Sequence, residues 1–179
     1  MPNLDAARRS YADSCAELQR LGLLEPGAIP PIPDHLPQAD DDDPSGVSFF
    51  RTQVDGDLSN LTLPRTFFGR SLVRDASFQN TDLSESNLCW CDFVQVDFSR
   101  ACLRSSDLRG SIFDGVRFVN CDLRNADLRH ATFRKCDFAG ADLAGAKLGR
   151  RLAWSLVLDA HQQASIDWQT FEGETPPGG

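Results

Sequence analysis

From Phe78 onward a large apolar residue returns at every fifth position: Phe78, Leu83, Leu88, Phe93, Phe98, Leu103, Leu108, Phe113, Phe118, Leu123, Leu128, Phe133, Phe138, Leu143 and Leu148. A period of five is neither the 3.6 residues of a helix nor the two of a strand. Two residues before each of these centres stands a compact residue, as in Ala76, Thr81, Ser86, Cys91, Val96 and Ala101. Residues two apart share one face of an extended segment. Each unit therefore points two side chains inward and then turns tightly. The remaining three positions are mostly Asp, Asn, Arg, Ser and Gly, as expected of an outer surface and its turns.

The centres run Phe, Leu, Leu, Phe and repeat, so a second period, of four units, lies over the period of five. Four units per coil predict a four-sided coil. Stacking then places Phe78, Phe98, Phe118 and Phe138 in one ladder and Phe93, Phe113 and Phe133 in its neighbour. Two Leu ladders fill the other sides. Units such as Ala126-Asp127-Leu128-Arg129-His130 and Ala141-Asp142-Leu143-Ala144-Gly145 resemble the pentapeptide-repeat family, whose pattern is small, Asp or Asn, Leu or Phe, then two free positions. The resemblance covers about residues 76–150. It implies an all-β solenoid, a right-handed quadrilateral β-helix. Residues 56–75 fit less well, because Pro64 and the Val73 centre break the pattern, and the solenoid is assigned to residues 56–150.

The flanks read differently. Residues 1–24 predict an amphipathic helix, with Leu4, Ala7, Tyr11, Cys15, Leu18 and Leu21 at helical spacing, Asn3 at its start and Gly22 at its end. Residues 25–55 carry six of the ten prolines and the run Asp40 to Asp43, which predicts an extended or disordered linker. Residues 151–179 predict a C-terminal helix over the apolar run that includes Leu152, Trp154, Leu156, Val157 and Leu158, then a disordered tail. That helix is expected either to plug the open end of the tube or to bury a face in a homodimer.

Charge narrows the function classes. The net charge is −8, but residues 56–150 hold 12 acids and 13 bases, and the acidity lies in the flanks. No signal peptide or membrane span is evident, so a cytoplasmic protein with six free thiols is expected. Cys89-Trp90-Cys91 invites a metal reading, yet it lacks a second Cys pair or His pair, and alternation turns Cys91 inward and Cys89 outward. The Asp before each Leu is read as a turn-forming residue rather than half of a catalytic pair. No nucleophile with a positioned base can be argued. Neither enzymatic activity nor a cofactor or metal is expected.

The outward residues that the repeat does not require are Trp90, Arg104, Arg109, Arg124, Arg129, His130, Arg134 and Lys135. Stacking four units per coil puts Trp90, Gly110, His130 and Arg150 in one turn column. A Trp beside Arg and His is a composition found at protein interfaces. The expectation is a non-enzymatic protein-binding module (an inhibitor, immunity-type factor or scaffold) with a protein partner and no direct nucleic-acid or membrane binding. The family resemblance adds an alternative: an acidic rod that mimics DNA and binds DNA gyrase or topoisomerase. The near-neutral rod argues against that alternative in its simple form.

Overall fold

The computed structural model describes residues 8–38 and 46–171. The repeat forms a right-handed, four-sided β-helix of about six turns. On one side the strands β1 (Gln53–Asp57), β2 (Leu72–Ser77), β3 (Asp92–Val94), β4 (Ile112–Asp114) and β5 (Thr132–Arg134) form a five-stranded parallel sheet in sequence order. Val73, Phe93, Phe113 and Phe133 pair in register, each one coil after the last. The other sides repeat that step in single bridges, such as Asp97 with Arg117, Cys102 with Asp122, and Asp107 with Asp127. Parallel strands need long crossovers; here the remaining three sides of each coil supply them.

The core follows the predicted ladders. Phe78, Phe98, Phe118 and Phe138 stack at centroid distances of 5.2, 5.7 and 4.9 Å. Phe93, Phe113 and Phe133 stack at 5.1 Å with nearly parallel rings. Where the two ladders meet, Phe93 and Phe98 lie edge to face at 5.5 Å, as do Phe133 and Phe138. Offset stacking along a ladder and edge-to-face contact between ladders are both favoured by the ring quadrupole. The compact inward residues also satisfy backbone. Ser111 Oγ donates to the Leu88 carbonyl at 2.7 Å and Ser106 Oγ to the Leu83 carbonyl at 2.9 Å. A fully buried hydroxyl is thus tolerated because it carries a bond.

The recurring Asp does what the turn reading required. Asp97 Oδ1 accepts the Ser99 N–H at 2.8 Å, and Asp107, Asp122, Asp127, Asp137 and Asp142 do the same two residues on. Two residues after each centre from Phe78 to Leu143 the backbone enters the left-handed region, at Asn80, Trp90, Arg100, Asn120 and His130 among others.

Both ends depart from the sequence reading. The first helix, α1, is Tyr11–Arg20, capped by Ser10. The proposed cap at Asn3, with Leu4 and Ala7, lies outside the described residues. α1 closes the N-terminal end of the tube. Cys15 and Leu18 are fully buried in the core, Ser14 Oγ accepts the Thr62 N–H at 2.8 Å, and the Asn60 carbonyl accepts the Arg9 N–H at 2.8 Å. The solenoid also starts before residue 56. Val47, Phe49 and Val54 are buried, Ser48 bridges Phe67, and Phe49 packs on Phe68 at 4.7 Å. Val54 pairs with Val73, one position short of a full coil, whereas Gly56 pairs with Ala76, a full coil on. An irregularity at Gly56, where φ is +88°, shifts the register by one.

The linker is corrected in part. Residues 25–38 are extended but strapped along the solenoid: Tyr11 Oη donates to the Pro30 carbonyl, Arg65 Nη1 to that of Pro33, and Asn87 Nδ2 to that of Pro37. The Asp40–Asp43 run lies outside the described residues.

At the C-terminus, Leu152 to Leu158 does not form an α-helix. A 3-10 helix spans Arg150–Trp154, and an irregular segment follows. The closing elements are α2 (Ala160–Ser165) and β7 (Asp167–Gln169), which pairs with β6 (Lys147–Gly149). The physical reason is capping. No side chain caps the 3-10 helix, which starts after Gly149, whereas Asp159 and Gln162 form a complete capping box. The tail beyond residue 171 lies outside the described residues.

Candidate protein-binding surface

The turn geometry positions Trp90. Its φ is +57°, and its ring leaves the tube at the corner between the Leu88 and Phe93 sides, 61% exposed. One coil on, Gly110 lies beneath it. A Cβ added at Gly110 would stand 2.6 Å from the Trp90 ring. The next residue in the column is His130, and there the ring of Phe171 stands at a centroid distance of 4.2 Å. Arg150, assigned to this column by arithmetic, instead opens the 3-10 helix. Phe171 was missed because it lies beyond the point where the count of five fails.

The arginines are held by the aspartates two residues before them. Arg109 bonds both oxygens of Asp107 at 2.9 and 2.7 Å, and Arg129 donates to Asp127 at 2.8 and 2.6 Å. On the Leu83 side Arg124 does the same with Asp122 and reaches Asp142 at 3.7 Å. Burial raises the proton affinity of Asp122 and Asp127, but the bonds from Arg124 and Arg129 outweigh it and hold both carboxyls below their ordinary value. Bidentate pairs of this kind fix the guanidinium plane. Arg104, in the Leu83-side column, makes no ion pair within 4 Å among the described residues, and neither do Arg134 and Lys135 on the Phe93 side. The eight candidates therefore fall into three groups. Trp90, Arg109, Arg129 and His130 share one side, Arg104 and Arg124 the preceding side, and Arg134 and Lys135 the following one.

The apolar run divides as well. Leu152, Leu156 and Leu158 pack against the core, while Trp154 and Val157 project outward at 80% and 91% exposure. Leu152 lines a cavity of about 530 Å³ at this end of the tube, together with residues of β5 and Phe171.

The cysteines are free thiols, and no cluster able to hold a metal ion occurs among the described residues. Burial pushes Cys91 up to about 12 and Cys121 well above its ordinary range. Cys89 is buried although alternation placed it outside. Two residues before it the linker bonds Asn87 through the Pro37 carbonyl, while Trp90, the next residue, stays exposed. Among the described residues no helix is long and apolar enough to cross a membrane.

The sequence model for pentapeptide repeats matches residues 74–110 and 111–150, with eight copies. Residues 74–150 are a run of pentapeptide repeats. Similar solved structures include the pentapeptide-repeat protein Rfr23 from the cyanobacterium Cyanothece, 23% identical over 48% of this chain and 58% of that one, with a TM-score of 0.47. A pentapeptide-repeat protein of the Arabidopsis thaliana thylakoid lumen is 21% identical over 67% of this chain and 70% of its own, with a TM-score of 0.42. QnrB1, a plasmid-mediated fluoroquinolone resistance protein, is 14% identical over 70% and 79%, with a TM-score of 0.33. No curated protein sequence matches the chain.

Proposed function

We propose that this protein is a non-enzymatic binding module that engages a protein partner through its Leu88 side, as an inhibitor, immunity-type factor or scaffold. The observation that carries the reading is Trp90: a large ring on a left-handed turn residue, mostly exposed, over a glycine that leaves it room. The solenoid core has no use for a Trp there. Arg109, Arg129 and His130 lie on the same side, with their guanidinium groups already oriented by aspartates. An oriented Arg loses less freedom on binding than a free one. The six free thiols support a reducing compartment.

DNA mimicry with gyrase as target is the weaker reading. It needs rows of uncompensated carboxylates along the rod, whereas Asp107, Asp122 and Asp127 each face an arginine at 2.6–2.7 Å. Affinity capture from the source cytosol tests the preferred reading. A partner retained by the wild type and lost with Trp90→Ala and Arg129→Glu, at unchanged melting temperature, supports it. Equal retention by all three proteins removes this surface as the site. Gyrase supercoiling is expected to be unaffected at micromolar excess, and inhibition there would restore the mimic reading.

A further inference from the structure

The register that closes the solenoid fails on one side of its C-terminal end. In the sheet, the Thr132 N–H donates to the Ser111 carbonyl and the Gly115 N–H to the Arg134 carbonyl, both at 2.9 Å. β5 is the last strand of that sheet. Residues 152–154 would stand opposite it one coil on, but they belong to the 3-10 helix and its end. The Ala131 carbonyl and the Lys135 N–H correspond to Ser111 and Gly115 one coil earlier, and among the described residues neither has a next-coil backbone partner.

The 3-10 helix stands off from this edge, and the cavity of about 530 Å³ lies between them. Thr132 and Phe133 form one wall, Leu152 and Arg151 the other, with His130 and Phe171 at one end. Phe133 is only partly buried, whereas Phe93 and Phe113 in the same ladder are fully buried. The rim is basic. Arg134, Lys135 and Arg151 are exposed, and the ion pairs of the described residues lie elsewhere. The carboxylate of Asp114, which pairs in register with Arg134, makes no ion pair there.

We propose that this slot is a strand-addition site, filled by an extended acidic segment of a partner protein as the sixth strand beside β5. An open sheet edge with a pocket for alternate side chains is the geometry that captures extended peptides. The incoming backbone supplies an N–H to Ala131 and a carbonyl to Lys135. An apolar side chain enters between Phe133 and Leu152, and acidic side chains meet Arg134, Lys135 and Arg151. The charge decides between occupants. A second copy would bring its own Arg134, Lys135 and Arg151 up to the same basic residues here, and like charges brought close across a strand pair are destabilising. The slot rests on the reading of the protein as a binding module, but it uses a surface distinct from Trp90.

Fluorescence anisotropy with the full chain and a labelled peptide of alternating valine and glutamate tests it. Saturable binding is expected. It weakens by about tenfold or more when lysine replaces glutamate, and by the same order in the Lys135→Glu, Arg151→Glu double variant. N-methylation of the edge-facing peptide amides abolishes it. Leu152→Trp, which fills the slot, abolishes it with the thermal melt unchanged, and Trp90→Ala leaves it intact. The proposal is overturned if the lysine or N-methylated peptide binds as well as the parent. Displacement of the peptide by duplex DNA at equal concentration, or a slot closed by self-association in sedimentation, overturns it too. Peptide binding retained while Trp90→Ala keeps its captured partner sinks the Trp90 surface alone. Peptide binding absent while Trp90→Ala loses that partner sinks the slot alone.

Discussion

Trp90 occupies a backbone conformation that few non-glycine residues adopt, at φ +57°. Nearly every turn of the solenoid demands that conformation, and the column arrangement sets which residue can meet the demand. A long side chain at such a turn leans along the tube axis onto the same turn one coil later. Gly110 lies under Trp90, Gly115 under Gln95, Gly140 under Asn120 and Gly145 under Asn125. The glycines thus answer two needs at once, positive φ and clearance. Gly110→Ala is expected to destabilise the protein by about 1–2 kcal/mol from the left-handed backbone, and by a further amount from displacing the Trp90 ring. Urea midpoints should show the loss, and Trp90→Ala in the same chain should remove the second part and leave the first. A loss unchanged by Trp90→Ala would mean that the two residues do not press on each other.

Each end of the tube is closed by a side chain standing in for absent backbone. At the N-terminal end the Ser14 hydroxyl accepts the Thr62 N–H. At the C-terminal end Gln162 Nε2 donates to the Phe138 carbonyl at 2.8 Å and the Ala141 carbonyl at 2.9 Å. In the coils before it, the equivalent carbonyl accepts a backbone N–H from the next coil, as Cys121 does from Asp142. Gln162 stands as far along the chain from Ala141 as Asp142 does from Cys121. Its side chain therefore takes the place of its own N–H, which is engaged in the capping box. Gln162→Leu removes both bonds inside a buried site; the Phe138 carbonyl keeps the Ala141 N–H at 2.9 Å, and the Ala141 carbonyl, left unpaired, should cost about 1–3 kcal/mol. Hydrogen exchange should quicken in α2 and β7 before the central coils; uniform quickening would contradict a cap of local effect. These closures were poorly legible in the sequence. Ile166 and Trp168 do sit one coil after Ala146 and Leu148, with Trp168 paired to Leu148. The large and small slots are both filled off-pattern there, and α2 interrupts the count. At the N-terminal end one residue fewer in the first coil moved Val47, Phe49 and Val54 off the grid of fives. Where the period held, from Phe78 to Leu148, pattern alone specified the fold, because a narrow tube admits one arrangement of large and small residues. The candidate site was legible in composition and column, as Trp90 and His130 show. Phe171 and the slot depend on where the register breaks, which no period reveals.

For the whole molecule, the buried thiols and paired carboxylates set the pH range of stability. Asp122 and Asp127 are held below their ordinary value in the folded state. The unfolded chain, with carboxyls near about pH 3.9, then takes up more protons in acid. The stability these groups add is present at neutral pH and is lost as pH falls below about 4 through the folded values. Cys91, pushed up to about 12, and Cys121, pushed higher, have the opposite sign. The unfolded thiols release protons above about 8.5 while the folded ones keep theirs, so stability is full below that pH and declines as pH rises toward the folded values. A plateau in the urea midpoint is expected between about pH 4 and 8.5, with a fall on each side. The net charge of −8 adds self-repulsion on the alkaline side that is unrelated to thiols. Cys91→Ala with Cys121→Ala separates the two causes. The alkaline fall should become shallower in that variant while the acid fall keeps its position. In the wild type a thiol reagent should label both residues only as fast as the chain unfolds. An alkaline limb of unchanged slope in the variant would assign the decline to repulsion and remove the thiols from the account.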